Sequence, residues 1–361
     1  MKGMKLFAGN SHLDFARKVA AHLNLPLSEP CKKDSKGKQI TWLSNQNVLV
    51  DIKENVRDYH CFVIQTQSQS RSLIAKCKNG QDVFGQELGV NDQLMELFFL
   101  INALVTSGAK VTAVLPYMPY IRSDKKDHPR VCIGAKLIAE ILTLAGASGV
   151  LLMDPHFAQI HGYFDEKQTK VDVLKSKPIM GRYLKENYDL GNGQFVVVAP
   201  DANEAKHAGP MATNLKLKMA IIDKRRYSDN EEAKPENLMG EEYVRGRRAI
   251  IFDDEIGTGG TLIESAEFLI EKGAVSVIEV PTHGVFSSMQ KLIKMQESPI
   301  IEKIIVANTV PVDKDKLLAC PKIVVVDVSA YFAKAIDIIY KGKSLDAFKR
   351  SLYGRVLNVV E

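Results

Sequence analysis

The strongest constraint on the fold is a regular alternation of short apolar runs with stretches of helical periodicity. The runs are rich in Val and Ile and span four to six residues, which is typical of strands buried on both faces. Helical segments between such strands favour the α/β class, in which helices cover parallel sheets. The predicted strands are 5–8, 61–65, 111–116, 150–153, 195–199, 219–222, 249–252, 275–280, 304–307 and 323–328.

The length of 361 residues fits two such domains better than one. We expect the boundary in the polar stretch 166–180, which gives a first domain over 1–175 and a second over 176–339. Two further segments, 30–39 and 68–89, are polar and weakly periodic, and they are expected to be a surface loop and a surface insertion.

The first helix is expected to follow the strand 5–8, with Ser11 as its N-cap. The apolar residues after Ser11 have helical spacing and predict the buried face of this helix: Leu13, Val19, Ala20 and Leu23.

Composition narrows the class of protein. Hydrophobic residues make up 45% and charged residues 25%, and no apolar run approaches the roughly 20 residues of a membrane-spanning helix. The N-terminus lacks the apolar core of a signal peptide. Five scattered cysteines without a C-x-x-C pair favour a reducing cytoplasm over disulfides or a thiolate metal site. The net charge of +5 is modest and interspersed with acids, so nucleic acid and membranes are not expected as partners.

The most informative motif is Phe-Asp-Asp-Glu-Ile-Gly-Thr-Gly-Gly-Thr at 252–261, between a predicted strand and a predicted helix. Asp253 and Asp254 can accept hydrogen bonds from vicinal sugar hydroxyls. The segment 258–261 offers backbone N–H groups, hydroxyls and a helix N-terminus to a phosphate. A Gly-rich turn with an acidic cap is the alternative interpretation, but adjacent carboxylates with two threonines favour a sugar-phosphate site.

A second motif follows the predicted strand 111–116. Four cations lie within nine residues, at the carboxyl end of a strand and before a helix expected near Ile133, which suits a polyphosphate. The alternative is a solvated charged loop. These cations are Arg122, Lys125, Lys126 and Arg130.

Other strand ends carry weaker candidates. His156, with Asp154 and Asp165 near it in sequence, could hold a divalent cation or orient its waters. Asp201 follows the strand 195–199. Lys224 and Arg226 precede a polar run, 227–237, that is typical either of a mobile lid or of a plain surface loop. The chain contains no Walker-type phosphate loop and no Gly-x-Gly-x-x-Gly fingerprint.

Together these motifs resemble the ribose-phosphate pyrophosphokinase family, which makes phosphoribosyl pyrophosphate (PRPP), along nearly the whole chain. The motif 252–261 alone is shared with phosphoribosyltransferases, which consume PRPP. The other matching stretches are 5–10, 54–57, 91–97, 120–124, 156–160, 200–202, 223–226 and 282–287.

The resemblance implies transfer of diphosphate from ATP to the anomeric hydroxyl of ribose 5-phosphate, with Mg²⁺. Lys224 and Arg226 would be catalytic. His156 and Asp201, and more weakly Asp154 and Asp165, would serve the metal. ATP would be bound by Asn45, Asn47, Arg122, Ser123 and Asp124. Ribose 5-phosphate would be bound by Asp253, Asp254, Gly257, Thr258, Gly259, Gly260 and Thr261.

The resemblance also implies two phosphoribosyltransferase-like domains, with a C-terminal segment of about 340–361 packed on the first. It implies a homo-oligomer, commonly a hexamer, with a nucleotide site shared between subunits. Several residues depart from the family pattern, so a non-catalytic regulatory subunit is the alternative interpretation. A transferase that consumes PRPP is a third and less favoured one. The residues that depart from the pattern are Asn47, Ser123, Glu204, Glu255, Gly257 and Asp346.

Overall fold

The fold is described from a computed structural model over residues 1–31, 38–66, 70–76, 82–126, 128–202, 204–225 and 234–357. The chain divides into two compact units. The first comprises Met1–Leu174, Thr309–Pro311 and Ser329–Phe348, and the second comprises Lys175–Asn308, Val312–Val328 and Lys349–Glu361. Within the described ranges, no helix is long and apolar enough to cross a membrane.

The elements alternate as the sequence predicts. The strands are β1 (Gly3–Ala8), β2 (Leu27–Ser28), β3 (Ile40–Trp42), β4 (Val48–Val50), β5 (Tyr59–Ile64), β6 (Ser70–Lys76), β7 (Asp82–Leu88), β8 (Lys110–Leu115), β9 (Gly149–Met153), β10 (Lys170–Leu174), β11 (Phe195–Ala199), β12 (Met219–Arg225), β13 (Lys234–Met239), β14 (Arg248–Ile256), β15 (Ser276–Gly284), β16 (Ile301–Ala307) and β17 (Ile323–Val326). The helices are α1 (Leu13–Leu23), α2 (Val90–Thr106), α3 (Gly134–Leu144), α4 (Lys177–Asn187), α5 (Ala205–Leu215), α6 (Gly260–Glu271), α7 (Met289–Glu297), α8 (Lys314–Ala319), α9 (Ser329–Tyr340) and α10 (Leu345–Leu357).

The first unit is built on a parallel sheet with the strand order β10-β9-β8-β5-β1-β2. Its central strands carry β-branched and other apolar residues that are buried from both sides. Two small antiparallel hairpins, β3–β4 and β6–β7, also belong to this unit. One core cluster joins the sheet to α2 and α3, through residues such as Leu97, Leu100, Ile101, Ile138 and Leu142.

The second unit contains a sheet with the order β13-β12-β11-β14-β15-β16-β17. All neighbouring strands run parallel except β13, which is antiparallel to β12 at the sheet edge. The helices α6 and α7 pack apolar residues into the core of this unit, among them Leu262, Ala266, Leu269, Leu292 and Met295. The predicted α/β class with mainly parallel sheets is therefore confirmed.

One local expectation was wrong. Ser11 is not the cap of α1, because its hydroxyl donates to Gln65 Oε1 at 2.7 Å and accepts the Thr66 N–H at 2.9 Å. The segment 68–89, expected to be a surface insertion, contains the hairpin β6–β7. Leu73 and Leu88 of this hairpin are buried.

The polar stretch before residue 175 includes a strand that the sequence analysis did not predict. This strand is β10, which pairs with β9 at the edge of the first sheet. Only Leu174 of β10 is buried, and an edge strand tolerates polar residues because one of its sides faces solvent.

The chain returns to the first unit earlier than expected. The return was predicted at about 340, but α9 already belongs to the first unit, whereas Lys349–Glu361 groups with the second. The physical reason is apolar packing of α9 on α1, where the rings of Phe15 and Phe332 meet edge to face with centroids 5.3 Å apart.

Candidate active site

The carboxyl ends of the central strands of the second unit carry several polar residues that the sequence predicted as functional. Strands β12, β11, β14 and β15 are parallel neighbours in that order, so their carboxyl ends meet at one edge. Asp201 follows β11, Lys224 lies near the end of β12, and Asp253 and Asp254 lie near the end of β14. Open α/β sheets bind ligands at this edge.

Asp253 and Asp254 lie inside β14, which continues to Ile256 and is longer than predicted. The backbone N–H of Asp254 donates to Asp253 Oδ1 at 2.8 Å. Burial, and then the neighbouring charge of Asp254, raises the pKa of Asp253 well above its usual range. One proton shared by the pair would leave it both acceptor oxygens and a donor near the strand end, and vicinal hydroxyls can pair with both.

The loop after β14 leads directly into α6. Gly259 is the N-cap of this helix at φ 92°, and a β-carbon there would lie 2.8 Å from Met295 Cε, so only glycine fits. The backbone N–H of Ser287 donates to the Gly257 carbonyl at 3.0 Å, which fixes the loop against the segment after β15. Thr258 and Thr261 are exposed. The Gly260 N–H, the first of α6, donates weakly to Thr258 Oγ1 at 3.4 Å, so the threonine hydroxyl and the helix N-terminus lie together, an arrangement that suits an anion.

Glu204 stands beside Asp201 at the start of α5. Its backbone N–H donates to Asp201 Oδ1 at 2.9 Å, and its carboxylate lies 3.6 Å from the Lys177 ammonium. Burial raises the pKa of the Glu204 carboxyl, the Lys177 charge opposes this rise, and the charges of Asp254 and Asp201 add to it. The acid that departs from the family pattern is therefore neutralised by a lysine that the sequence analysis missed.

Glu279 is an acid that the sequence analysis missed. It is 3% exposed on β15, where it pairs with Ile251 of β14, two residues before Asp253. Burial, and then the charge of Asp253, raises the pKa of Glu279 well above its usual range, and the Lys224 charge opposes this rise. An acid inside the apolar run 277–280 was the signal that could have revealed it.

Lys224 is part of β12, where it pairs with Pro235 of β13 next to an irregularity in the register. The run 227–237 therefore ends as a strand from Lys234 onward, and its earlier part lies outside the described residues, as does Arg226.

The predicted nucleotide residues lie in the first unit. Arg122 is exposed. Ser123 stabilises the N-terminus of α3, since its hydroxyl accepts the Gly134 N–H at 3.0 Å and donates to the Cys132 carbonyl at 3.1 Å. The Asp124 carbonyl accepts a hydrogen bond from the hydroxyl of Tyr163. Of these three residues, Ser123 is the one that the hydrogen bonds place at the N-terminus of α3.

Asn45 and Asn47 lie together in the exposed turn of the hairpin β3–β4. Asn45 Oδ1 accepts the Asn47 N–H at 3.2 Å, and the Leu43 N–H donates to the Asn47 carbonyl at 2.8 Å. The turn therefore has a defined conformation that presents both amides to solvent.

The four metal candidates do not form a preformed cage. Asp154, His156 and Asp165 belong to the first unit and Asp201 to the second. The Asp165 carboxylate accepts from Lys167 N at 3.0 Å and Gln168 Nε2 at 2.6 Å, so it stabilises a turn. Across the described part of the chain, no group of three or more His, Cys, Asp or Glu residues could hold a metal ion.

Comparisons with known proteins agree with the sequence motifs. Residues 4–146 match the N-terminal domain of ribose phosphate pyrophosphokinase, and residues 227–350 match the phosphoribosyl synthetase-associated domain. The chain is 38% identical over 343 residues to ribose-phosphate pyrophosphokinase 2 of Schizosaccharomyces pombe, which covers 95% of this chain and 96% of that protein.

The fold is also similar to a solved structure. The crystal structure of phosphoribosylpyrophosphate synthetase from Mycobacterium smegmatis matches with a TM-score of 0.78 and 30% identity, over 94% of this chain and 100% of that one. Sequence and fold agree over nearly the full length, and the chain therefore belongs to the ribose-phosphate pyrophosphokinase family.

Proposed function

We propose that the protein transfers diphosphate from ATP to the anomeric hydroxyl of ribose 5-phosphate, giving PRPP and AMP. The observation that carries this proposal is the pairing of Asp253 and Asp254 with the exposed N-terminus of α6, at one sheet edge in a chain of this family. Carboxylates suit the sugar hydroxyls, and helix amides suit the 5-phosphate.

The chemistry requires positioning and positive charge more than a protein nucleophile, because the attacking group is the hydroxyl of the substrate. In this proposal Lys224 stabilises the charge on the transferring phosphates, together with Arg226. Asp253 and Asp254 orient the ribose, while the loop of Gly257, Thr258, Gly259, Gly260 and Thr261 holds its phosphate.

ATP is assigned to groups of the first unit. Arg122 contacts the phosphates, with Ser123 and Asp124 shaping the loop around them. Asn45 and Asn47 offer amide donors and acceptors to the base from the hairpin turn. Each of these groups except Ser123 and Asp124 is exposed, which leaves it accessible to a ligand.

Mg²⁺ enters this proposal as part of the MgATP substrate. The residues present do not fit a cage made of protein ligands alone. Mg²⁺ commonly keeps several waters and uses one or two protein groups plus substrate phosphates, a role open to His156 and Asp201. Asp154 is buried and Asp165 is engaged in a turn, so both are weaker candidates.

The proposed assembly is a homo-oligomer, with the hexamer as the family expectation. It is supported by two large apolar side chains on the surface of α2, Met95 and Phe99, each 45% exposed. The proposed compartment is the cytoplasm, in line with the free thiols of Cys61, Cys132 and Cys320. Cys77 lies outside the described residues.

The direct test is incubation of the purified protein with ATP, Mg²⁺ and ribose 5-phosphate, with PRPP and AMP quantified by chromatography. We expect equimolar formation of the two products. Lys224→Ala should lower kcat/KM by about 100-fold or more, as expected when a charge-stabilising group is removed. Lys314→Ala, which removes an exposed lysine on α8, is the matched control and should keep the parent rate.

Two results would contradict the proposal. A well-folded protein that binds an active homologue but has no turnover alone would indicate the regulatory subunit. Nucleotide formation from PRPP and a nucleobase would indicate a transferase that consumes PRPP.

A further inference from the structure

The loop that holds the proposed phosphate site packs against α7 and against the segment just before this helix. Gly259 lies against Met295 of this helix, and the Gly257 carbonyl accepts the Ser287 N–H just before it. Helix α7 begins at Met289, with the Ser288 hydroxyl accepting the Lys291 backbone N–H at 3.3 Å. The chain is thus fixed to the loop at Ser287, just before the first turn of α7 begins.

One side chain of that turn reaches the loop. A β-carbon built on Gly260 would lie 3.8 Å from Lys291 Nζ and 3.7 Å from Thr258 Oγ1. Lys291 is half-buried, and it makes no ion pair with the part of the chain that the structure describes. An ammonium, a hydroxyl and the first amides of α6 thus surround the same small volume.

We propose that Lys291 is a phosphate-contacting residue of the ribose 5-phosphate site. This inference rests on the proposed function and adds to the site a cation that lies outside the motif 252–261. A phosphate monoester carries close to two negative charges at neutral pH, and a lysine ammonium binds it through charge-assisted hydrogen bonds. Gly257 brings no carboxylate into the loop, so the loop itself offers no side-chain partner for the ammonium at that position.

No sequence pattern indicated this residue, because Lys291 follows the motif by thirty positions and lies in an ordinary amphipathic helix. The fold brings it to the loop through β15, which runs parallel to β14 and returns the chain to the same sheet edge. We therefore expect Lys291 to affect ribose 5-phosphate binding and to leave ATP binding unchanged.

The test compares Lys291→Met with Lys294→Met, which removes an exposed lysine of the same helix and changes the net charge equally. Binding of ribose 5-phosphate is measured by isothermal titration calorimetry, and both KM values by the product assay. For Lys291→Met we expect the Kd and KM for ribose 5-phosphate to rise about tenfold, the usual effect of losing one charged hydrogen bond. The KM for ATP should stay unchanged.

Two further measurements sharpen the test. Lys291→Arg keeps the positive charge and should bind ribose 5-phosphate close to the parent affinity. Ribose without a phosphate should bind the parent and Lys291→Met equally, because the lost contact is to the phosphate alone. If Lys291→Met does not fold, by circular dichroism, Lys291→Gln replaces it with the same expectation.

The outcomes separate the inference from the function on which it rests. If the parent turns over ribose 5-phosphate and Lys291→Met binds it as tightly as Lys294→Met does, Lys291 makes no phosphate contact and the inference is wrong. If the parent neither binds nor turns over ribose 5-phosphate, the proposed function fails and the inference fails with it.

Discussion

At the scale of single residues, the fold changes the interpretation of an acidic residue beside the proposed site. Glu204 looked damaging in the sequence because it adds a bulky charge beside Asp201. The structure pairs it with Lys177, and both side chains are largely buried, at 18% and 12% exposure. A paired charge costs far less to bury than a lone one. The departure at position 204 is therefore compatible with an active site.

Asp253, Asp254 and the loop to Thr261 could be predicted as a site because they are contiguous in sequence and their local pattern implies a strand, a turn and a helix. Lys177, Glu279 and Lys291 could not be assigned in this way. They come from three other elements, α4, β15 and α7, and only the fold brings them near the residues of the proposed site. Single-sequence patterns carry no information on such long-range proximity.

A buried histidine gives a pH prediction at the same scale. His60 is 1% exposed on β5, and its Nε2 lies 2.8 Å from Thr112 Oγ1. Burial, and then the charge of Lys110, lowers the pKa of His60 from 6.5 to about 4. The His60 imidazole therefore binds a proton near pH 6.5 in the unfolded chain, but only near pH 4 in the folded protein. The free energy of unfolding is therefore highest above this pH range, where His60 is neutral in both states, and it decreases as the pH falls through the range.

Between pH 6.5 and pH 4, titration of His60 should lower the unfolding free energy of the parent by about 3 kcal/mol. We expect His60→Gln to lack this part of the pH dependence. The measurement is denaturant unfolding across this range, followed by fluorescence of Trp42, the single tryptophan, which lies in the same unit. His128→Gln, which alters an exposed histidine, should keep the parent pH dependence. Equal pH dependence in His60→Gln and the parent would show that His60 does not titrate in this way.

At the scale of elements, the position of the hairpin β3–β4 depends on one buried carboxylate. Glu96 of α2 is fully buried and receives four N–H donors. Its Oε1 accepts from Trp42 Nε1 at 2.6 Å and Asn10 Nδ2 at 2.5 Å, and its Oε2 accepts from Asn10 N and Gln65 Nε2, both at 3.2 Å. Burial raises the pKa of Glu96, and these hydrogen bonds oppose the rise. The hydrogen bond from Trp42 thus fixes the hairpin β3–β4, which carries Asn45 and Asn47, to the Glu96 carboxylate.

Replacing Glu96 by Gln should loosen this hairpin. An amide has one acceptor oxygen, and its NH₂ group would face two of the donors, so the variant loses about half of the contacts and roughly 2 kcal/mol of stability. We expect a shift in Trp42 emission and a higher KM for ATP, with the KM for ribose 5-phosphate unchanged. Glu87→Gln, on the exposed side of β7, is the control. Unchanged emission and stability in Glu96→Gln would contradict the assigned role of this carboxylate.

Elements were predictable from sequence where both faces are buried. The central strands β5, β8, β9, β11 and β14 all lie on predicted apolar runs, because burial on both sides requires uninterrupted apolar residues. Elements with one solvent face, such as β10 and the hairpin β6–β7, gave weaker patterns and were missed. Their existence depends on pairing with a neighbour rather than on their own composition.

At the scale of the whole molecule, the candidate groups for the two substrates belong to separate compact units. The nucleotide candidates Asn45, Asn47 and Arg122 lie in the first unit, and the ribose-phosphate loop lies in the second. Each unit has its own buried core cluster. A change on the surface of the first unit should therefore leave binding of ribose 5-phosphate by the second intact, which allows the two functions to be measured separately.

The proposed oligomer can be tested through this separation. Met95 and Phe99 lie one turn apart on the exposed side of α2, where two glutamates would oppose any apolar contact between subunits while sparing the core. We expect Met95→Glu/Phe99→Glu to lower the mass measured by light scattering and to lose most turnover. Ribose 5-phosphate should still bind with the parent Kd. Leu318→Glu, at a side chain 78% exposed in the second unit, should keep mass and turnover. A parent that is fully active as a monomer, or a double variant with unchanged mass, would contradict assembly through α2.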